Sequence, residues 1–266
     1  MAISEAMTLM PANAIMPWLR TRLVRKCSHV EVLLKGAQRL GLDINDHQLH
    51  LFQHYFRELT AWNERINLTA IVDYEEVQSK HFLDSLTVSL VISQDVMGNG
   101  SLIDVGSGAG FPGLPLKILW PNFRVTLVES VGKKAAFLKH VTDVLGLVDV
   151  EVRNQRAETL AHDQQMRESF DVVVARDVSE LNTIAELTLP FCKLGGRVVA
   201  QKKAGIDEEL KRAQRAVSLM GGFLDKVEAV ELEEIGEPRW LVVLGKNSAT
   251  PSNYPRRVGM PAKRPL

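Results

Sequence analysis

Between residues 101 and 113 the chain reads Ser-Leu-Ile-Asp-Val-Gly-Ser-Gly-Ala-Gly-Phe-Pro-Gly, an apolar run that carries one carboxylate, Asp104, straight into a glycine-rich bend. Gly106, Gly108 and Gly110 allow positive φ and let backbone amides meet a ligand with no Cβ in the way. Pro112 and Pro115 fall in a first helical turn, which has no use for the N–H they lack. Glu129 stands 19 residues past Gly110, at the tip of the next apolar run, where an acid accepts hydrogen bonds from ribose hydroxyls. Strand, bend and helix start together suit a nucleoside-bearing cofactor.

Charge decides which cofactor. Residues 108–113 also form a literal GxGxxG, the fingerprint of nicotinamide and flavin sites. Asp104 argues the other way: a carboxylate inside the strand opposes a pyrophosphate but suits the cationic methionine end of S-adenosylmethionine. Arg156-Ala157-Glu158 follows a third apolar run, where a class I methyltransferase holds the adenine edge with a backbone amide and an acid. An exposed carboxylate at a helix start is the plainer account of Glu158. These residues therefore predict an S-adenosylmethionine-dependent methyltransferase, with an NAD-dependent oxidoreductase as the competitor. Donor motifs leave the acceptor open, so a methyltransferase with another substrate also stays possible.

The elements around this site follow from periodicity. Val30, Leu33, Leu34, Ala37 and Leu40 recur at helical spacing up to Gly41. Asn45 or Asp46 opens a second helix with Leu49, Phe52, Phe56, Leu59 and Trp62 on one stripe. A third, over 74–91, carries Val77, Lys80, His81, Leu83, Asp84 and Leu86 past a polar loop with Asn67 and Thr69. After 98–100 the texture changes. Apolar runs at 102–105, 125–129, 148–152, 170–175 and 197–201 alternate with helical segments at 112–119, 133–145, near 157–161, 181–192 and 207–220, the pattern of βαβ units on a parallel sheet. Two consecutive strands, 224–232 and 240–245, imply an antiparallel pair at one edge. The expected fold is α/β: a class I methyltransferase Rossmann-like sheet, mostly parallel with one antiparallel edge strand, and an N-terminal helical cap. The expected divisions are a loosely ordered extension (1–28), the cap (29–97), the S-adenosylmethionine-binding domain (98–246) and a basic C-terminal tail (247–266).

Composition narrows the class further. Two cysteines, Cys27 and Cys192, lie far apart with no CxxC and no clustered His, so neither a disulfide framework nor a metal site is expected, and a reducing cytoplasm is the natural setting. The Met-rich start lacks a basic lead and is broken by Pro11 and Pro17, and no apolar run approaches the roughly 20 residues of a membrane span. No membrane is expected, and a monomer is. Net charge is zero, but it is unevenly spread. Residues 246–266 carry Lys246, Arg256, Arg257, Lys263 and Arg264 with no acid, and residues 1–30 carry four bases against Glu5, while 31–245 hold 23 bases and 31 acids, a net of −8. Basic ends on an acidic body fit a phosphate-bearing partner as well as they fit solubilising tails.

Other residues have a functional and a plain reading each. Cys192, after Pro190-Phe191, reads as a buried structural thiol at the end of a helix rather than a nucleophile. His81 and Asp84, three apart on one face, read first as a hydrogen-bonded pair fixing cap to sheet and second as lining the mouth of the site. Asn63 and Asn67 are explained by turn and cap chemistry, with nucleic-acid contact the alternative. Lys133 and Lys134, in a first helical turn, oppose the macrodipole by about 0.3–1 kcal/mol each, which fits an anionic partner nearby as well as it fits two solvated lysines.

Four strings now coincide: Trp62-Asn-Glu-Arg-Ile-Asn-Leu-Thr69, Lys80-His-Phe-Leu-Asp-Ser85, Asp104-Val-Gly-Ser-Gly-Ala-Gly-Phe-Pro-Gly113 and Glu129-Ser-Val-Gly-Lys-Lys134. Over about residues 30–266, tail included, the chain closely resembles the RsmG (GidB) family of bacterial small-subunit ribosomal RNA guanine-N7 methyltransferases. The resemblance implies S-adenosylmethionine as cofactor and 16S ribosomal RNA or the small ribosomal subunit as partner. It puts Gly106 and Phe111 on the methionine and ribose side of the cofactor, Ala157 and Glu158 at the adenine, and Arg176 at the mouth. Lys202 matches the family's lysine after the fifth strand, and with Arg176 it would position the substrate. Lys133, Lys134, Asn63, His81, Arg256 and Arg257 join them as expected RNA contacts. Asp177 departs from the pattern, standing where an uncharged residue is expected. Guanine N7 has an in-plane lone pair and no proton, so its methylation requires no general base. Accordingly, no Asn-Pro-Pro-Tyr-like string follows Ala175.

Overall fold

The computed structural model describes residues 30–177, 179–203 and 205–266; the extension expected over 1–28, with Cys27, lies outside the described residues. Helix α1 (Glu31–Arg39) buries Leu33 and Ala37, and the chain leaves it through Gly41 at φ 72°. Helix α2 (Asp46–Ile66) opens on a capping box in which Asn45 Oδ1 accepts from the Gln48 N–H at 2.9 Å and Gln48 Oε1 from the Asn45 N–H at 3.0 Å. Such a cap is worth about 1 kcal/mol. The expected third helix is one continuous helical path of changing pitch: α3 (Tyr74–Val77), a π-helical segment (Gln78–Leu83), α4 (Asp84–Leu86) and a 3-10 turn (Thr87–Val91). Helix α5 (Gln94–Asn99) then feeds the sheet.

Alternation of strands and helices proceeds through β1 (Ser101–Val105), α6 (Gly113–Leu119), β2 (Arg124–Val128), α7 (Gly132–Val144), β3 (Val150–Arg153), α8 (Ala157–Leu160), β4 (Phe170–Arg176) and α9 (Leu181–Thr188). It ends with β5 (Cys192–Lys202), α10 (Ile206–Leu219), β6 (Gly222–Val230), β7 (Arg239–Lys246) and α11 (Met260–Lys263). The seven strands lie in the order β3-β2-β1-β4-β5-β7-β6, parallel except for β7, which runs against both of its neighbours one position in from the edge. This is the class I methyltransferase sheet expected from the sequence. The strand order reverses between β1 and β4, so the crevice beyond their carboxyl ends is where a ligand of such a fold sits.

One boundary is a correction. The helix expected over 181–192 stops at Thr188, a 3-10 turn (Leu189–Phe191) carries Pro190, and Cys192 opens β5 rather than closing a helix. Proline cannot supply the N–H that would continue the helix.

Strand residues alternate between two buried faces. Leu102, Val172, Val174, Val199, Leu241 and Val243 share one core with Phe52, Tyr55, Phe82, Leu114 and Phe137, so the N-terminal helices cover this face of the sheet together with α6 and α7. Ile103, Val105, Val173, Ala175, Val198 and Val242 share the other with residues of α8, α9 and α10. Burial on both faces is why these strands read as near-continuous apolar runs. No helix among the described residues is long and apolar enough to cross a membrane.

Candidate functional site

The bend after β1 is built as its glycines require: φ is 77° at Gly106, 59° at Gly108 and 98° at Gly110, the left-handed region that a Cβ disfavours. Backbone bonds pin it to the next strand, with the Gly106 and Ser107 N–H groups donating to Val128 O at 2.9 and 3.1 Å. Two carboxylates hold the rest. Glu129 Oε2 accepts from the Gly108 N–H at 3.0 Å and its Oε1 from the Val131 N–H at 2.7 Å, while Asp104 Oδ2 accepts from the Gly113 N–H at 2.9 Å. Gly113 is required for a different reason, since a Cβ there would lie 2.9 Å from Asp104 Oδ2 and 2.7 Å from the Leu127 side chain.

Asp104 is fully buried, and burial pushes its carboxyl up to about 7 against the pull of the Gly113 N–H. Its Oδ1 is buried and has no hydrogen-bond partner among the described residues. A buried acceptor left unpaired costs about 1–3 kcal/mol, more when charged, and an ammonium group would satisfy it. The residues present therefore fit the cationic end of S-adenosylmethionine. Each oxygen of Glu129 keeps a lone pair beyond its backbone bond, which fits ribose hydroxyls.

Beside the bend lies a cavity of about 220 Å³ whose lining includes Gly106, Val128, Ser130, Ala157, Glu158 and Gly259. Gly106, Ala157 and Glu158, expected at the cofactor, are thus brought together. Phe111 is not on that wall: its ring is buried between His81, stacked at 4.5 Å, and Tyr55, at 5.5 Å, with the Arg176 guanidinium 5.0 Å from its centroid. Phe111 packs the helical layer against the bend; like Asp104, Gly108, Gly110, Glu129 and Arg176, it adjoins this cavity's wall rather than lining it.

That contact carries a buried polar network. Arg176 donates from Nη1 to Asp84 Oδ2 at 3.0 Å and to Lys80 O at 3.3 Å, and from Nη2 to His81 Nδ1 at 3.3 Å. Arg239 donates from Nε to Asp84 Oδ1 at 3.0 Å, and Gln201 Nε2 donates to Asp84 O at 2.7 Å. Burial and the neighbouring guanidinium hold His81 down at about 3, so its ring is neutral; Nδ1 accepts from Arg176 and Nε2 meets Thr69 Oγ1 at 2.8 Å. His81 and Asp84 do fix helices to sheet, but through Arg176 rather than to each other. Arg239 was not singled out from the sequence, because the carboxylate it meets is 155 residues away and nothing local signals the pairing.

Several expected RNA contacts have other employment here. The Asn63 amide accepts from the Leu68 and Thr69 N–H groups at 2.6 and 2.9 Å and donates to Thr69 O at 3.0 Å, the turn chemistry that was its plain reading. Lys202 donates to Ser179 O at 2.9 Å and pairs with Glu209 at 2.8 Å. Arg256 forks onto Glu186 through Nε and Nη2 at 2.8 and 2.6 Å, and buried Lys246 donates to Leu189 O and Met220 O, so neither is a free tail charge. Lys133 and Arg257 are exposed and Lys134 half-buried. Asp177 sits at φ 52°, a conformation Asp tolerates, with Lys203 3.8 Å away. Cys192 is buried as expected, its thiol pushed up to about 12 by burial, which removes the thiolate a nucleophile needs. No cluster of three metal-binding side chains occurs among the described residues.

The chain also matches known proteins over most of its length. A family model described as rRNA small subunit methyltransferase G (GidB) matches residues 48–235. A protein named Ribosomal RNA small subunit methyltransferase G from Dehalococcoides mccartyi (strain BAV1) is 52% identical, with 88% of this chain and 98% of that protein covered. Proteins of the same name from Roseiflexus sp. (strain RS-1), 52% identical over 89% and 100%, and Brevibacillus brevis, 45% over 85% and 94%, are similar throughout.

Proposed function

The chain belongs to the GidB family of rRNA small subunit methyltransferases, and on that premise we propose that it moves a methyl group from S-adenosylmethionine to N7 of a guanine in 16S ribosomal RNA, acting as a cytoplasmic monomer. The oxidoreductase alternative falls with that membership. The observation that carries the donor site is the orphaned Oδ1 of buried Asp104 beside three left-handed glycines.

In this reading Asp104 takes the donor's amine, Glu129 its ribose hydroxyls, and Ala157 with Glu158 its adenine edge, while Gly106, Gly108 and Gly110 give the backbone room to approach. The bound donor supplies an electrophilic methyl on a sulfonium. Guanine N7 attacks with its own lone pair, so the chain has no proton to remove and its work is placement, a contribution worth up to about 7–11 kcal/mol in well-oriented systems. Arg176, rigid on Phe111 and Asp84, fixes the mouth, and Lys202 braces the segment beside it through Ser179 O. Lys133, three residues past the cavity-lining Ser130, and Arg257, two before the cavity-lining Gly259, offer exposed cations at the rim for phosphates.

Radiolabelled methyl transfer to small subunits lacking the modification, and to free 16S RNA, followed by mapping, tests the proposal. Label at one guanine N7 is expected. Folded, donor-bound protein that transfers nothing would instead indicate an idle ribosome binder.

A further inference from the structure

The C-terminal residues, read from the sequence as a basic tail for RNA, are committed to the donor side of the protein. Arg167 donates from Nη1 to Tyr254 O at 2.9 Å and from Nη2 to Thr250 O at 2.9 Å, and His162 Nε2 meets Pro255 O at 2.9 Å. Arg256 follows with three bonds to Glu186, two from its guanidinium and one from its backbone N–H at 2.8 Å, and Glu186 is only 1% exposed. A bidentate pair to so buried a carboxylate fixes direction as well as position. Further on, Thr183 Oγ1 donates to Pro261 O at 3.1 Å. Between these anchors Gly259 turns the chain at φ 80°, and its N–H donates to Glu158 Oε1 at 2.8 Å. Gly259 and Ala262 then face the same cavity as Gly106, Val128 and Ala157.

We infer that residues 254–266 form a wall of the adenine end of the donor pocket, with Glu158 held by the Gly259 N–H and Arg256 acting as the positioning residue that presents this wall. The inference rests on the donor site proposed above. Glu158 would otherwise be a nearly buried carboxylate at the cavity edge; with one oxygen on Gly259, the other is left oriented for the exocyclic amine of an adenine. Because the wall and the ligand share one cavity, their stabilities are linked: a bound nucleoside must hold the C-terminal residues in place as strongly as they hold it.

The test uses S-adenosylhomocysteine as probe, titrated calorimetrically into the full chain, an Arg256→Ala variant and a chain ending at Asn253, with a melting curve for each. The expected result is a Kd at least tenfold weaker in both altered proteins. A second measurement separates this from a merely structural tail: trypsin cleavage after Arg257 and Lys263 should slow at least tenfold when the probe saturates the full chain, while cleavage after Lys211 and Arg215 on α10 stays unchanged. Should the shortened chain fail to fold, Arg256→Ala and the protease measurement decide alone. Binding within twofold of the full chain by a folded variant, or cleavage indifferent to the probe, overturns the inference and leaves the donor site standing. No binding by the full chain overturns the donor site, and the inference with it.

Discussion

Replacing Asp84 by Ala should destabilise the protein more than any surface change, because that carboxylate holds two arginines. Its side chain is 5% exposed, as is that of Arg239, and Arg176 is 11% exposed; each guanidinium lies 3.0 Å from a different Asp84 oxygen. Removing one partner of a buried pair costs about 3–5 kcal/mol; here it strips Arg176 of its carboxylate and leaves Arg239 only the exposed Glu237, 3.3 Å away. For a chain of this size each kcal/mol moves the melting temperature by about 2–4 °C, so Asp84→Ala should melt roughly 6–20 °C below the parent. Calorimetric melting reads this directly. Arg239→Ala should lower the melting temperature as well, and the double variant should lose clearly less than the sum of the two, because both single changes break one network. A drop below about 2 °C for Asp84→Ala, or strictly additive losses, would refute the reasoning: the network would then be replaceable by solvent.

Three further outcomes follow from the site. Gly106→Asp, forced to place a side chain at φ 77° at about 1–2 kcal/mol of strain and facing the cavity, should lose donor binding by calorimetry while its circular dichroism keeps the helical signal; unchanged affinity would move the site elsewhere. Cys192→Ala should cost on the order of 1 kcal/mol of stability yet leave methyl transfer intact, and a folded but inactive variant would restore a thiol to the chemistry. Asp104, raised to about 7, keeps in the folded chain a proton that the unfolded chain has lost between about pH 4 and 7, so its contribution to stability falls as pH rises across that window. A donor ammonium favours the charged carboxylate, so binding should release a proton near pH 6 and tighten as pH climbs toward 7; titrations in buffers of different ionisation heat that detect no release would contradict this.

How much of this was legible beforehand depends on how local each feature is. The bend at Gly106, Gly108 and Gly110, the Asn45 cap and the two-faced strands are written in spans of a few residues, where φ preference, capping and alternation act, and they fold as their sequence indicates. Asp84, Arg176 and Arg239 meet across separations of 92 and 155 residues, which no period records. The same holds for Phe111: its neighbours in sequence point to the cofactor, whereas its partners His81 and Tyr55 arrive from the helical layer. Charge counting misjudged the C-terminus, because Lys246 and Arg256 look like free cations until the buried carbonyls and the Glu186 carboxylate that use them are placed. Cys192 is buried, as its apolar neighbours indicate, but it opens β5 rather than closing a helix, because the helical stretch breaks ahead of Pro190.

A crystal of the chain soaked with S-adenosylmethionine would show whether the bend after β1 holds the donor. The nucleoside is expected in the cavity beside Gly106, its amine within hydrogen-bond distance of Asp104 Oδ1, its ribose at Glu129 and its adenine at Glu158. An empty cavity at saturating donor, or one that takes a dinucleotide pyrophosphate instead, would contradict that placement.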